Sequence, residues 1–296
     1  MDDARYHELS ACLFGLFSDP AADEALVTGQ AGLWLLAAGA RRPVPSPFDT
    51  ALTLLRWAQR LAREGGVRLD PVCGAAGGAL RRAPSPGGAP EDFRWHCVLP
   101  PLAPDGPVLS LRRHRFAALG VAAFAGDPAA LTALARVVRA RRPLVVAGPT
   151  GAGKTTLLAA LLREAAPDER VVVVESLAEL PLLSPLWVRL VERRPNLEGV
   201  GAFPARRLVQ EALRLRPDRL VIGEVRADEA GAFADALATG HGGVLTTLHA
   251  DSPAAARRRL AALAGESAGD FAGVSVAVLG RGSSGKPTLL AVSQAD

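Results

Sequence analysis

Lysine is almost missing from this chain: of 34 basic residues only Lys154 and Lys286 are lysine, and the rest are arginine. Cysteine is sparse as well. Cys12, Cys73 and Cys97 are isolated, with no C-x-x-C pair, which argues against a zinc site and for reduced thiols. Aromatic residues make up only 5% of the chain, and no Lys/Arg tract is interleaved with them as a dedicated nucleic-acid domain requires. Arg257-Arg258-Arg259 reads as a solvated helix face. Uncharged runs are short. The stretch Ala25 to Ala40 is broken by Thr28, Gly29, Gln30, Gly32 and Gly39, too interrupted to span a bilayer. Asp2 and Asp3 stand where a secretory signal carries basic residues. A cytoplasmic protein is the expectation.

What is present centres on one stretch. Gly148-Pro149-Thr150-Gly151-Ala152-Gly153-Lys154-Thr155, followed by Thr156, fits G-x-x-x-x-G-K-[ST] at every fixed position. One of the two lysines falls where phosphate chemistry asks for it. The apolar run Pro143 to Ala147 reads as a buried strand and Thr155 to Arg163 as a helix, the strand–turn–helix context that gives the motif its meaning. Glycines let the backbone turn and aim its N–H groups at phosphate oxygens, and the helix beginning there adds its positive end. Lys154 is placed to reach the β- and γ-phosphates, and the Thr155 hydroxyl to ligate Mg²⁺.

With 296 residues, 49% hydrophobic content and a net charge of +4, the chain has room for two α/β domains. Residues 1–125 read as the smaller. It has a helix at 5–17, short strands at 24–28 and 32–36 around a turn at Gly29-Gln30-Ala31, and a helix from an N-cap at Asp49 to Glu64. Further strands are expected at 67–70, 93–99 and 108–111, with an exposed loop from Arg81 to Pro90. Gly120 to Pro128 reads as a hinge. Residues 126–296 alternate helix and strand in the manner of a sheet covered on both faces. Helices are expected at 129–140, 204–215, 227–238 and 253–264. Strands are expected at 143–147, 170–174, 187–191, 219–223 and 243–248, with a closing hairpin at 274–279 and 288–292 around the Gly-rich segment 280–285.

Three of these strands end in groups that phosphoryl chemistry uses: Glu175, then Glu224 with Arg226, then His249. Ligands of an open α/β sheet sit beyond the carboxyl ends of its strands, so these side chains are expected to converge on the γ-phosphate. Glu224 suits the second Mg²⁺ partner, although Gly223 stands where many such enzymes have Asp. Glu175 suits the orienting or deprotonation of an attacking water. A lone glutamate at a strand end is ordinarily only solvated; two of them, after two buried strands downstream of a phosphate loop, favour catalysis. His249 and His241 are each readable as a satisfied structural histidine or as a site residue.

Longer runs carry a resemblance. Arg214-Leu-Arg-Pro-Asp-Arg-Leu-Val-Ile-Gly-Glu-Val-Arg226 and Thr239-Gly-His-Gly-Gly-Val-Leu-Thr-Thr-Leu-His-Ala-Asp-Ser-Pro253 resemble the secretion and pilus-assembly ATPases of the type II/type IV superfamily. Glu192-Arg-Arg-Pro-Asn-Leu-Glu-Gly199, Leu99-Pro-Pro-Leu-Ala-Pro-Asp-Gly-Pro107 and Leu109-Ser-Leu-Arg-Arg-His-Arg115 are similar to its tight-adherence (Tad/Flp pilus) branch. The resemblance implies a RecA-like P-loop domain with a smaller, PAS-like α/β domain before it. It also implies a homo-hexameric ring binding ATP and Mg²⁺ at the subunit seams, and a membrane-embedded platform protein as partner, with the motor peripheral to the inner membrane. By position, Glu175 to Leu180 matches the acidic box with Glu175 as catalytic carboxylate, Glu224 the second carboxylate, and His241 and His249 the histidine box. Arg112 and Arg115 match basic residues that approach the phosphates from the small domain, a contribution worth about 10³–10⁵ in rate in phosphoryl-transfer enzymes generally. Closure of the small domain would then complete the site.

Two departures accompany the match. Ser176 and Leu177 stand where the family has Asp and commonly Pro, and the chain ends soon after the final hairpin. These departures keep a nucleotide-binding ring scaffold with little hydrolysis beside the motor reading. A DNA-translocating enzyme is a third, more remote reading.

Overall fold

The structure, a computed structural model, describes all residues except 30–31, 86, 115–118, 194–199, 266–270, 283–285 and 296, and at Asp228 the backbone only. The tip of the expected Gly29-Gln30-Ala31 turn, Arg115, most of the Glu192–Gly199 motif and the middle of the 280–285 segment fall outside the described residues. Two units make up the chain, Met1–Arg115 and Phe116–Asp296.

In the first unit, α1 (Asp3–Gly15) starts where the Asp2 carboxylate accepts from Arg5 N, and α2 (Ala51–Glu64) where Thr50 Oγ1 accepts from Thr53 N. Thr50, not Asp49, is therefore the cap, while Asp49 accepts from the Thr53 hydroxyl. Leu54, Trp57, Ala58 and Leu61 recur at helical spacing and are all buried. Six strands, β1 (Ala22–Thr28), β2 (Gly32–Ala37), β3 (Ala40–Val44), β4 (Ala75–Arg82), β5 (Glu91–Val98) and β6 (Val108–His114), form one antiparallel sheet in the order β3-β2-β1-β6-β5-β4. Alternate residues Ala25 and Val27, Leu33 and Leu35, Phe93, Trp95 and Cys97, and Leu109 and Leu111 join the two helices in one core. The Trp57 indole donates to Ser10 Oγ at 3.0 Å, so the largest buried side chain leaves no polar atom unpaired.

The structure departs from the sequence reading at three further points in this unit. Residues 67–70 form no strand, because Asp70 Oδ1 accepts from Val72 N and Cys73 N and pulls the chain into a turn. β3 forms despite Pro43, since it is an edge strand with no neighbour on its outer side. β4 runs through Gly77-Gly78 into Arg81-Arg82, the start of the expected loop. A Cβ at Gly77 would stand 2.7 Å from the His96 ring and 2.9 Å from Trp95 O, so the glycine is set by close approach to β5.

The second unit is a seven-stranded sheet. β7 (Leu144–Ala147), β8 (Val171–Glu175), β9 (Trp187–Val191), β10 (Arg219–Ile222), β11 (Val244–Leu248) and β12 (Ser275–Arg281) are parallel, and β13 (Pro287–Ser293) returns antiparallel to β12. The order is β13-β12-β7-β11-β10-β8-β9. Val145, Ala147, Val172 and Val174 face a core with α5 (Ala205–Arg214), α6 (Asp228–Ala238) and α7 (Pro253–Ala264), whereas Leu144, Val146, Val171 and Val173 face α3 (Pro128–Arg139) and α4 (Lys154–Ala165). Burial on both faces is why these strands read as unbroken apolar runs. The segment expected as a hinge is bound into this unit: Ala125 N donates to Pro287 O, Leu289 N to Ala125 O and Val121 N to the Glu164 carboxylate. Residues 119–125 thus belong with the second unit. Among the described residues no helix is long and apolar enough to cross a membrane.

Candidate active site

The registers β11–β7 (Leu248 opposite Ala147), β10–β11 (Ile222 opposite Thr246) and β10–β8 (Ile222 opposite Val174) align the carboxyl ends of four parallel strands along one rim. The phosphate loop follows β7 there, Glu175 ends β8, Glu224 follows β10 and His249 follows β11. Because β11 lies between β7 and β10, its last two carbonyls serve both neighbours. Leu248 O accepts from Gly148 N at 3.2 Å, and Thr247 O from Val225 N at 2.9 Å.

The loop can only be made with glycine at its ends. Gly148 has φ +149°, and a Cβ there would stand 2.4 Å from Leu279 O; Gly153, with φ +90°, precedes α4. No side chain caps α4, so the N–H groups of its first turn, where half-buried Thr155 and Thr156 sit, are left to other acceptors. Pro149 and Thr150 are exposed and Ala152 is buried. Arg281, at the end of β12, donates through Nη2 to Gly151 O at 2.8 Å. Lys154 folds back over the loop, its Nζ donating to Gly148 O and Pro149 O at 3.0 Å each. Burial lowers its pKa, and the charges of Glu224 and Glu179 oppose that shift.

Glu224 accepts at Oε2 from Arg226 Nε (2.9 Å) and Nη2 (2.6 Å), and its Oε1 lies 2.9 Å from His249 Nε2. His249 has its pKa lowered, first by burial and then by the charge of Lys154, so its imidazole is held neutral beside the lysine. Glu175 is buried and fully engaged. Oε1 accepts from Glu179 N (3.1 Å) and Leu180 N (2.8 Å), and Oε2 from Arg189 Nε (3.0 Å). A Cβ on Gly223 would come within 2.8 Å of Glu175 Cγ. An Asp at that position would crowd Glu175 where it packs.

His241 is the residue the structure does not bring in. It precedes β11, at the amino rim, near its own Thr239 hydroxyl (3.4 Å). A Cβ on neighbouring Gly242 would meet Arg141 O, just ahead of β7. Five strand residues at about 3.3 Å each separate it from the phosphate rim, so within this chain it is not a nucleotide contact. Arg112 lies on β6 of the first unit, exposed, opposite Glu24 and Arg94.

A family model described as type II/IV secretion system protein matches residues 89–280. The chain belongs to this family. A Mycobacterium tuberculosis protein named for conjugal transfer is 44% identical over 252 residues, covering 84% of this chain and 71% of that one. Among solved structures, the Legionella pneumophila ATPase DotB aligns with a TM-score of 0.63 at 19% identity, over 93% of this chain and 79% of its own. The pilus retraction motor PilT with bound ADP aligns with the same score at 16% identity, over 95% and 82%. The fold is thus that of the type II/IV secretion ATPases, with a RecA-like core.

Within this secretion-system family chain, the sequence reading missed Arg281 beside the loop and Arg189 beside Glu175, and covered Glu179 only as part of the acidic box Glu175 to Leu180. Glu179 repeats an acid four positions after Glu175, a signal that could have been weighed. Arg281 ends a strand, as Glu175 does, but in a segment read only as a hairpin. Arg189 sits inside an apolar strand run, and nothing local distinguishes it.

Proposed function

We propose that this chain is a Mg²⁺-dependent ATPase motor of the tight-adherence branch, working as a homo-hexamer. Cytoplasmic and peripheral to the inner membrane, the motor would drive pilus assembly, pilus retraction or protein secretion through a membrane-embedded platform protein. The reading is carried by the convergence of the phosphate loop, Lys154, Glu224 and His249 at one rim of the sheet. The residues fit a nucleoside triphosphate. A Cβ at Gly153 would meet Pro287 at 3.2 Å, the first turn of α4 has no side-chain cap, and among the described residues the Lys154 ammonium is held by two loop carbonyls. Phosphate oxygens replace those carbonyls with charge-assisted acceptors, which favours lysine swinging toward the nucleotide. Thr155 and Glu224 would hold Mg²⁺. The ion, when bound, neutralises charge on the β- and γ-phosphates. Arg226 holds Glu224 in place through two hydrogen bonds, and neutral His249 adds no repelling charge next to Lys154.

The test is phosphate release from Mg·ATP by the purified wild type, by Lys154→Ala and by Glu224→Gln. Turnover that both substitutions abolish is expected; a silent wild type, alone and with its platform protein, would overturn the motor. The scaffold reading has its own observation, since Ser176 is exposed where the family places an acid. Tight ATP binding without turnover, unimproved by Ser176→Asp, favours it.

A further inference from the structure

The closing hairpin runs alongside the phosphate loop for the loop's whole length. In the β12–β7 pairing Val278 lies opposite Ala147, the last residue of β7, so Leu279, Gly280 and Arg281 continue beyond that strand's end. β13 then returns with Pro287 opposite Arg281. The hairpin meets each of the three glycines of the motif. Leu279 O stands 2.4 Å from where Gly148 would carry a Cβ, Pro287 3.2 Å from that point on Gly153, and Arg281 Nη2 3.4 Å from that point on Gly151.

The contact at Gly151 is a charge-assisted hydrogen bond, in which Arg281 Nη2 donates to Gly151 O at 2.8 Å. The same peptide group is held at its other end, since Ala152 N donates to Pro149 O at 3.3 Å. Gly151, at φ +74°, has more backbone freedom to lose than any other residue type would have there. A turn that its ligand must order binds that ligand more weakly, because the ordering is subtracted from the affinity. Gly148 O and Pro149 O are held by Lys154, which a nucleotide draws away. The bond from Arg281 comes from a neighbouring strand and does not depend on that lysine.

We infer that Arg281 is a positioning residue for nucleotide binding: it holds the peptide between Gly151 and Ala152 with its carbonyl toward the hairpin, and so sets the turn into α4 before a nucleotide arrives. This rests on the nucleotide-binding part of the function proposed above and not on turnover, so it holds for motor and scaffold alike. Because the contact is to backbone, it is indifferent to the number of phosphates, and ATP and ADP lose affinity together when it is removed. Lysine, a cation with N–H donors on a long stem, serves in place of arginine. Methionine keeps a stem and has no donor.

Isothermal titration calorimetry on the full chain tests it, with Mg·ADP and with Mg²⁺ plus a non-hydrolysable ATP analogue. Arg281→Met is expected to weaken both by about tenfold and by the same factor, the low end of what a hydrogen bond from a charged group contributes, as suits an exposed site. Arg281→Lys stays within about threefold of wild type, and the melting temperatures without nucleotide do not separate the three proteins. In steady-state assays the loss falls on KM more than on kcat. Arg281→Gln, whose amide is too short to reach the loop, carries the comparison should Arg281→Met fail to fold. Wild-type affinity in the methionine variant overturns the inference. So does a loss confined to the triphosphate, which marks a direct phosphate contact, and so does a lysine variant as weak as the methionine one. A wild type that binds neither nucleotide overturns the nucleotide reading and this inference with it; a wild type that binds both beside an unaffected Arg281→Met overturns the inference alone.

Discussion

Tyr6 is the single tyrosine of the chain. It is buried, with its hydroxyl donating to Glu64 Oε2 at 2.8 Å and the Arg60 guanidinium 4.3 Å above its ring. Burial, then the bond to Glu64, pushes the phenol up to about 12 from its ordinary 10.0. A pKa raised on folding contributes stability in full below the unfolded value and loses it as pH rises through the folded one. The Tyr6 contribution is therefore expected to hold to about pH 10 and to be shed toward about 12, while that of the buried Cys97 thiol, also pushed up to about 12 from its ordinary 9.0, begins to be lost above about pH 9. Ultraviolet titration of the lone tyrosine reads its midpoint directly, and Tyr6→Phe should flatten the alkaline limb of urea-measured stability to the part due to Cys97. An ordinary midpoint would show the phenol to be unsheltered. At this scale the sequence was legible where a residue's meaning is local. The glycines of the phosphate loop and Lys154 announce themselves by spacing. Arg189 does not, because what marks it is its hydrogen bond to Glu175, which a linear pattern does not display. The place of His241 at the amino rim was legible in the sequence, since it precedes its strand while the phosphate rim follows it.

Among the elements, β7, β8, β10 and β11 were readable because both faces are buried and every position is free to be apolar. In the first unit one face of the sheet is left outside the core, and weak strands survive by pairing instead of propensity. β4 tolerates Gly77-Gly78 because Trp95 and His96 lie over it, and β3 tolerates Pro43 at an edge. Helix α2 shows how narrow a boundary signal can be: adjacent Asp49 and Thr50 are both good caps, and only the backbone decides. Thr50, extended at φ −142°, receives Thr53 N at 3.1 Å, while Asp49 supports it through the Thr53 hydroxyl. Thr50→Ala is expected to cost about 1 kcal/mol and Asp49→Ala less, in urea unfolding followed by circular dichroism. The reverse order would make Asp49 the cap.

For the whole molecule, the expected division at 125/126 and the observed one at 115/116 differ by the segment that hydrogen-bonds to β13. Glycine and proline marked a boundary there, but the paired backbone of Ala125 decides to which side it belongs. The proposed nucleotide site is built on Phe116–Asp296, so ligand linkage should reach that unit's unfolding. ATP at 100 times its Kd is expected to stabilise it by about 2.7 kcal/mol in calorimetry, with Lys154→Ala showing no shift. Equal shifts in both proteins would place the nucleotide elsewhere. The strand inserted between β7 and β10 has a mechanical corollary. Leu248 and Thr247 grip the loop on one flank and the Glu224 turn on the other through consecutive peptide groups. A single short crossbar of backbone thus yokes the two, so any slide of the cradle along the strand axis tugs the acidic turn with it, without a side chain having to relay the pull.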